Sequence, residues 1–124
     1  MSTKRVLIID DEEAIQIVVQ FGLNLAAGWE VLAASSGPEG IRTAAVEQPD
    51  IILLDVMMPE MDGLTTFQEL KHNQNTRSIP VIFLTAKAQA SEKRLFNNTG
   101  VNGVITKPFN SLDLADQICK VLNW

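Results

Sequence analysis

The chain has 124 residues, one domain's worth, with 46% hydrophobic and 20% charged residues, the balance of a globular protein. Its net charge of −5, from 10 basic and 15 acidic residues, argues against a surface that grips nucleic acid, which needs a basic face. The apolar runs are too short to span a bilayer, and the single cysteine, Cys119, excludes an internal disulfide and suits a reducing, cytoplasmic compartment.

In chain order, the N-terminal "MSTKRVLIIDDEE" turns acidic after four apolar residues, so it reads as a first strand and not as a cleaved signal. A helical stripe of Ile15, Val18, Val19 and Leu23 follows, with Gly28 as its stop. "EVLAAS", Glu30 to Ser35, is less apolar and reads as an edge strand. The next helix has Ser36 as cap, Pro38 in its first turn, and Ile41, Ala44 and Ala45 on one face. "IILL", Ile51 to Leu54, is a continuous apolar run of the kind buried on both faces of a sheet. Leu64, Phe67 and Leu70 mark a third helix, and "VIFL", Val81 to Leu84, a fourth strand. A fourth helix is expected over roughly Gln89 to Asn98, and a weaker strand, "VIT", covers Val104 to Thr106. In the last helix Ser111 is the expected cap, Asp113 lies in the first turn, and Leu114, Ala115, Ile118, Val121 and Leu122 face inward.

Strand and helix therefore alternate five times. Right-handed crossovers turn such units into an open parallel sheet with helices on both faces, and ligands bind at the carboxyl ends of its strands. Polar groups stand at four of those ends: Asp10 and Asp11 after the first strand, Asp55 after the third, Thr85 after the fourth, Lys107 after the fifth. Three crowded carboxylates repel unless a cation intervenes, and a hard divalent ion with oxygen ligands, Mg2+, meets that need. A metal, an ammonium and a hydroxyl around one carboxylate make an electrostatic cradle for a phosphoryl group, with Asp55 as the nucleophile.

These motifs, "IIDDEE", "LLDVMMPEMDG", "LTAKA" and "TKPF", in this order and at these spacings, resemble the receiver domain of two-component response regulators over essentially the whole chain, residues 1–124. The resemblance implies a flavodoxin-like, doubly wound α/β fold with five parallel strands and five helices. The strand order would be 2-1-3-4-5, that of the chemotaxis regulator. It also implies that Asp55 is the phosphoacceptor, that Asp10 and Asp11 form the Mg2+ pair, and that the backbone carbonyl of Met57 is a further ligand. Thr85 would be the switch hydroxyl, Lys107 the ammonium partner, and the Lys107–Pro108 bond cis. One position departs from the family: Val104 stands where an aromatic residue is common, and the chain has no tyrosine.

The expected function is that of a stand-alone phosphoacceptor, with no output domain in these residues. It would take its phosphoryl group from a sensor histidine kinase or a histidine phosphotransfer protein and then change affinity for a downstream protein. It would promote its own phosphorylation and dephosphorylation without being a conventional enzyme. Neither nucleic acid nor membrane is an expected partner, and the expected state is a monomer or a weak dimer formed on phosphorylation. The surface of the fourth helix, fifth strand and fifth helix would carry the readout.

Three rivals stand beside this reading. An aspartyl-phosphate phosphatase usually places a second acid two residues after the nucleophile, where this chain has Met57. A flavin carrier would want a Ser/Thr/Gly-rich loop after the first strand, and "DDEE" repels a phosphate. A receiver that folds without switching, acting as a scaffold, draws support from Val104. His72 reads as a solvated histidine and Cys119 as a helix-margin residue, and Glu12 and Glu13 fit a helix start. Trp124 suits either packing or a partner.

Overall fold

The computed structural model describes residues 3–58, 62–86 and 99–124. The chain runs β1 (Arg5–Ile9), α1 (Glu13–Ala27), β2 (Glu30–Ala34), α2 (Gly37–Glu47), β3 (Ile51–Asp55), α3 (Gly63–His72), β4 (Val81–Thr85), β5 (Gly103–Thr106) and α4 (Leu114–Leu122). The expected helix over Gln89 to Asn98 lies outside the described residues. The five strands form one parallel sheet in the order β2-β1-β3-β4-β5, so "EVLAAS" does supply an edge strand.

The continuous apolar runs follow from burial on both faces of the sheet. Alternate side chains point in opposite directions, which divides each run between two cores. Leu7, Ile9, Ile52, Leu54, Val81 and Phe83 pack with Ala44 of α2 and with Phe67 and Leu70 of α3. Val6, Ile8, Ile51, Leu53, Ile82 and Leu84 pack with Val19 and Leu23 of α1 and with Leu114 and Ile118 of α4. Truncating any of these Leu or Ile side chains to Ala costs roughly 2–5 kcal/mol.

The helix ends follow the chemistry of their sequences. Gly28 sits at φ 68 and closes α1 through its N–H to Asn24 O, the left-handed stop glycine favours. The Ser36 hydroxyl accepts from Glu39 N and starts α2, with Pro38 in the first turn. The Asp62 carboxylate accepts from Thr65 N at 2.8 Å and starts α3.

Three expectations are corrected. Val18 does not face inward; it is 41% exposed and shares an outward stripe with Ile17, Phe21 and Leu25. Ser111 does not cap α4: the helix begins later, after Asp113, without a side-chain cap, and Ser111 lies in the preceding turn. A Cβ on Gly22 of α1 would stand 2.7 Å from the Ser111 carbonyl carbon, so close packing against α1 holds that turn in place. Val121 is at the exposed margin of α4, with its side chain over Gly103 instead of in the core.

Candidate functional site

The chain steps from β1 to β2 on one side and then returns to β3 on the other, so the strand order reverses between β1 and β3. Neighbouring helices diverge at such a point and leave the carboxyl ends of the two strands open to a ligand. Asp10 follows Ile9 at the end of β1, and Asp55 is the last residue of β3, beside it in the sheet. Asp11 stands next to Asp10. Carboxylate oxygens of all three lie within 4.8 Å of one another, with Asp10 and Asp55 buried and Asp11 exposed. The sheet thus gathers residues from two distant segments into one acidic cluster.

Lys107, just past β5, reaches across to this cluster. Its Nζ lies 3.0 Å from Asp10 Oδ2 and 3.4 Å from Asp55 Oδ1. Backbone donors also reach these carboxylates: Glu12 N donates to Asp10 Oδ1 at 2.9 Å, and Met57 N to Asp55 Oδ1 at 3.2 Å. The Lys107–Pro108 bond is cis, as the resemblance implied. Thr85 ends β4 fully buried, opposite Thr106 in β5, and its carbonyl accepts the Lys107 N–H at 2.7 Å. Met57 is exposed at the mouth, two residues beyond Asp55. The three acids are therefore gathered within 4.8 Å of one another and Lys107 contacts two of them, Asp10 and Asp55, with Thr85 and Met57 joined to the group through backbone hydrogen bonds.

The charge balance is uneven. Burial, and then the nearby negative charge of Asp10, push the Asp55 carboxyl from its usual 3.8 to about 6, while Lys107 and the Met57 N–H hold it back. Burial opposes the charge on Lys107, but its hydrogen bond to Asp10 and the charges of Asp10 and Asp55 outweigh that and raise its pKa. Among the described residues three carboxylates face one ammonium, an excess of anionic hard oxygen donors. That donor set suits Mg2+, whose preferred ligands are carboxylate oxygens, backbone carbonyls and water.

Two contributors escape the motif-based reading. Gln16, in the first turns of α1, is buried, and its amide nitrogen donates to Asp10 O at 2.7 Å and Ser35 Oγ at 3.1 Å. The available signal was a polar residue on the same inward stripe as Val19 and Leu23. Gly63 opens α3 against the end of β3, where a Cβ would overlap the Asp55 carbonyl oxygen and stand 2.6 Å from Val56 Cα. Only a residue without a side chain lets the helix start this close to the acidic site.

The family model for the response regulator receiver domain matches residues 6–119. The chain is 35% identical over 119 residues to the alkaline phosphatase synthesis transcriptional regulatory protein PhoP of Bacillus subtilis, covering 96% of this chain and 48% of that one. It is 39% identical over 117 residues to the DNA-binding dual master transcriptional regulator RpaA of Synechocystis, covering 94% and 47%. The chain spans about half the length of these relatives. The solved structure of the chemotaxis response regulator CheY4 of Vibrio cholerae superposes with a TM-score of 0.88 at 29% identity, covering 97% of this chain and 99% of that one.

Proposed function

This chain belongs to the response regulator receiver domain family, and from that premise we propose that residues 1–124 act as a phosphoacceptor in which Asp55 receives a phosphoryl group from a phosphohistidine. The donor would be a sensor histidine kinase or a phosphotransfer protein, in the cytoplasm. The observation that carries the reading is the joint contact of buried Asp55 and Asp10 with Lys107.

In the transfer, an Asp55 carboxylate oxygen forms a bond to phosphorus as the donor's P–N bond breaks, and the departing imidazole nitrogen keeps the electron pair. A pKa of about 6 leaves Asp55 mostly ionised at neutral pH, as a nucleophile requires. Lys107 supplies positive charge beside the incoming phosphoryl oxygens, and the Thr85 hydroxyl is the candidate donor on the β4 side. Asp10, Asp11, Asp55 and the Met57 carbonyl would hold Mg2+, which when bound screens the carboxylates from the phosphoryl charge. The outward face of α1, with Ile17, Phe21 and Leu25 between 55% and 64% exposed, runs down from the acidic loop. Such a patch beside the site suits docking by a protein donor. The product would shift the domain between two states and alter its affinity for a downstream protein.

A second reading, a folded receiver that serves as a scaffold without switching, draws on Val104. That residue is partly buried against the core where the family often has an aromatic.

The test is intact mass after incubation with acetyl phosphate, with and without Mg2+, beside Asp55→Asn. One added phosphoryl group that requires both Mg2+ and Asp55 is the expected result. A gain that persists in Asp55→Asn, or none in the folded wild type, would refute the assignment.

A further inference from the structure

We infer that Gln16 is a positioning residue of the acidic site: its side-chain amide fixes the backbone of the loop that carries Asp10 and Asp11, and so sets how tightly that loop holds a divalent cation. The inference rests on the Mg2+ reading proposed above and names the residue that tunes it.

Asp10 is held at several points. Its N–H donates to Ala34 O at 3.0 Å, and its carboxylate takes Glu12 N on one oxygen and Lys107 on the other. The contact left to account for is its carbonyl oxygen, which accepts from Gln16 Nε2 at 2.7 Å. This is the shortest of three contacts of that amide; Ser35 Oγ lies at 3.1 Å and Ala34 O at 3.4 Å. An amide nitrogen has two hydrogens, so one serves Asp10 while the other is shared at the end of β2. Gln16 therefore ties the ends of β1 and β2 together at the residue whose side chain faces the site.

The geometry gives this tie leverage over the carboxylates. Asp11 is exposed, and its backbone is flanked by two anchored neighbours, Asp10 behind it and the Glu12 N–H bond ahead of it. Without the amide, the peptide joining Asp10 to Asp11 loses its buried donor and can rotate, carrying the Asp11 carboxylate out of register. Partners that orient the ligands of a metal commonly change its affinity by 10–100-fold when removed. An aliphatic side chain of equal length would fill the same space, so volume alone does not require an amide at position 16.

The experiment is calorimetric titration of Mg2+ into the wild type, Gln16→Leu and Gln16→Met, with thermal unfolding and phosphoryl gain from acetyl phosphate measured in parallel. Both variants keep the bulk of the side chain and lose the donor. The expected result is Mg2+ binding weakened by roughly 10-fold, with the extent of phosphorylation restored once Mg2+ is raised by the same factor. A lowered melting temperature with an unchanged Mg2+ dissociation constant would overturn the inference and leave Gln16 as a structural tie. Failure of both variants to fold in excess Mg2+ would lead to the same conclusion. Absence of Mg2+ binding by the wild type would overturn this inference together with the metal reading beneath it, whereas unchanged variants beside a wild type that binds would overturn this inference alone.

Discussion

Replacing Asp55 by Asn removes a charge that the fold holds at a cost. The Asp55 carboxyl titrates at about 6 in the folded protein against a usual 3.8. The folded value is raised, so the penalty is absent well below pH 3.8, grows as the pH rises, and is complete above about 6. The rise from 3.8 to about 6, at about 1.4 kcal/mol for each tenfold change in acidity, gives roughly 3 kcal/mol at pH 7.5. At pH 4 the folded carboxyl is protonated while the unfolded one is about half ionised, which leaves well under 1 kcal/mol. Asn keeps the shape of the side chain and an oxygen for the Met57 N–H, and it weakens the 3.4 Å contact with Lys107. Asp55→Asn is therefore expected to be more stable than the wild type by about 2–3 kcal/mol at pH 7.5 and by well under 1 kcal/mol at pH 4. Urea unfolding at both pH values, with EDTA to exclude divalent cations, would show a midpoint raised by roughly 1–2 M at pH 7.5. A less stable variant, or a gain that does not shrink on acidification, would remove the buried-charge account of the site.

Lys107→Met leaves Asp10 and Asp55 buried without their cation, with an expected loss of about 3 kcal/mol at pH 7.5. The loss should narrow near pH 5 as Asp55 takes up a proton, and urea titrations at the two pH values would show it. Gly63→Ala forces a methyl group into the backbone at Asp55 and Val56. A loss of about 2 kcal/mol is expected in thermal unfolding, and wild-type stability would mean that α3 can start further from the sheet. Saturating Mg2+, at about 100 times its dissociation constant, should stabilise the wild type by about 2.7 kcal/mol. Asp11→Asn should lose most of that rise in melting temperature, and an undiminished response would exclude Asp11 as a ligand.

The strands were legible because burial on both faces leaves an unbroken apolar run, as "IILL" and "VIFL" show. The site was legible for a related reason: parallel strands deliver their carboxyl ends to one edge, so Asp10, Asp55 and Lys107 converge although 97 residues separate the first from the last. Helix faces were harder to assign. In α1 both Val18 and Val19 are apolar, and Ile17, Phe21 and Leu25 form a second stripe, so periodicity alone does not say which side meets the sheet. The one polar residue on the buried stripe, Gln16, carries information that its neighbours do not. The start of α4 depends on how closely Gly22 lets the Ser111 turn approach α1, a tertiary contact that no local cap signal encodes.

Val104 constrains how a phosphoryl group on Asp55 could be sensed. It lies opposite Phe83 across β4 and β5 and packs against the core on that face. A β-branched side chain is stiff about χ1, and Val104 has no ring that could turn between a buried and an exposed position. A displacement of Thr85 nevertheless has a direct mechanical route outward. Its carbonyl accepts the Lys107 N–H at 2.7 Å, and its register partner is Thr106, so movement at the end of β4 shifts the main chain that carries the ammonium. Phe109, two residues further on, packs against the core beneath α1 and α4. A displacement passed along these paired strand ends would reach the turn before α4, where Phe109 is the aromatic beside the shifted main chain among the described residues.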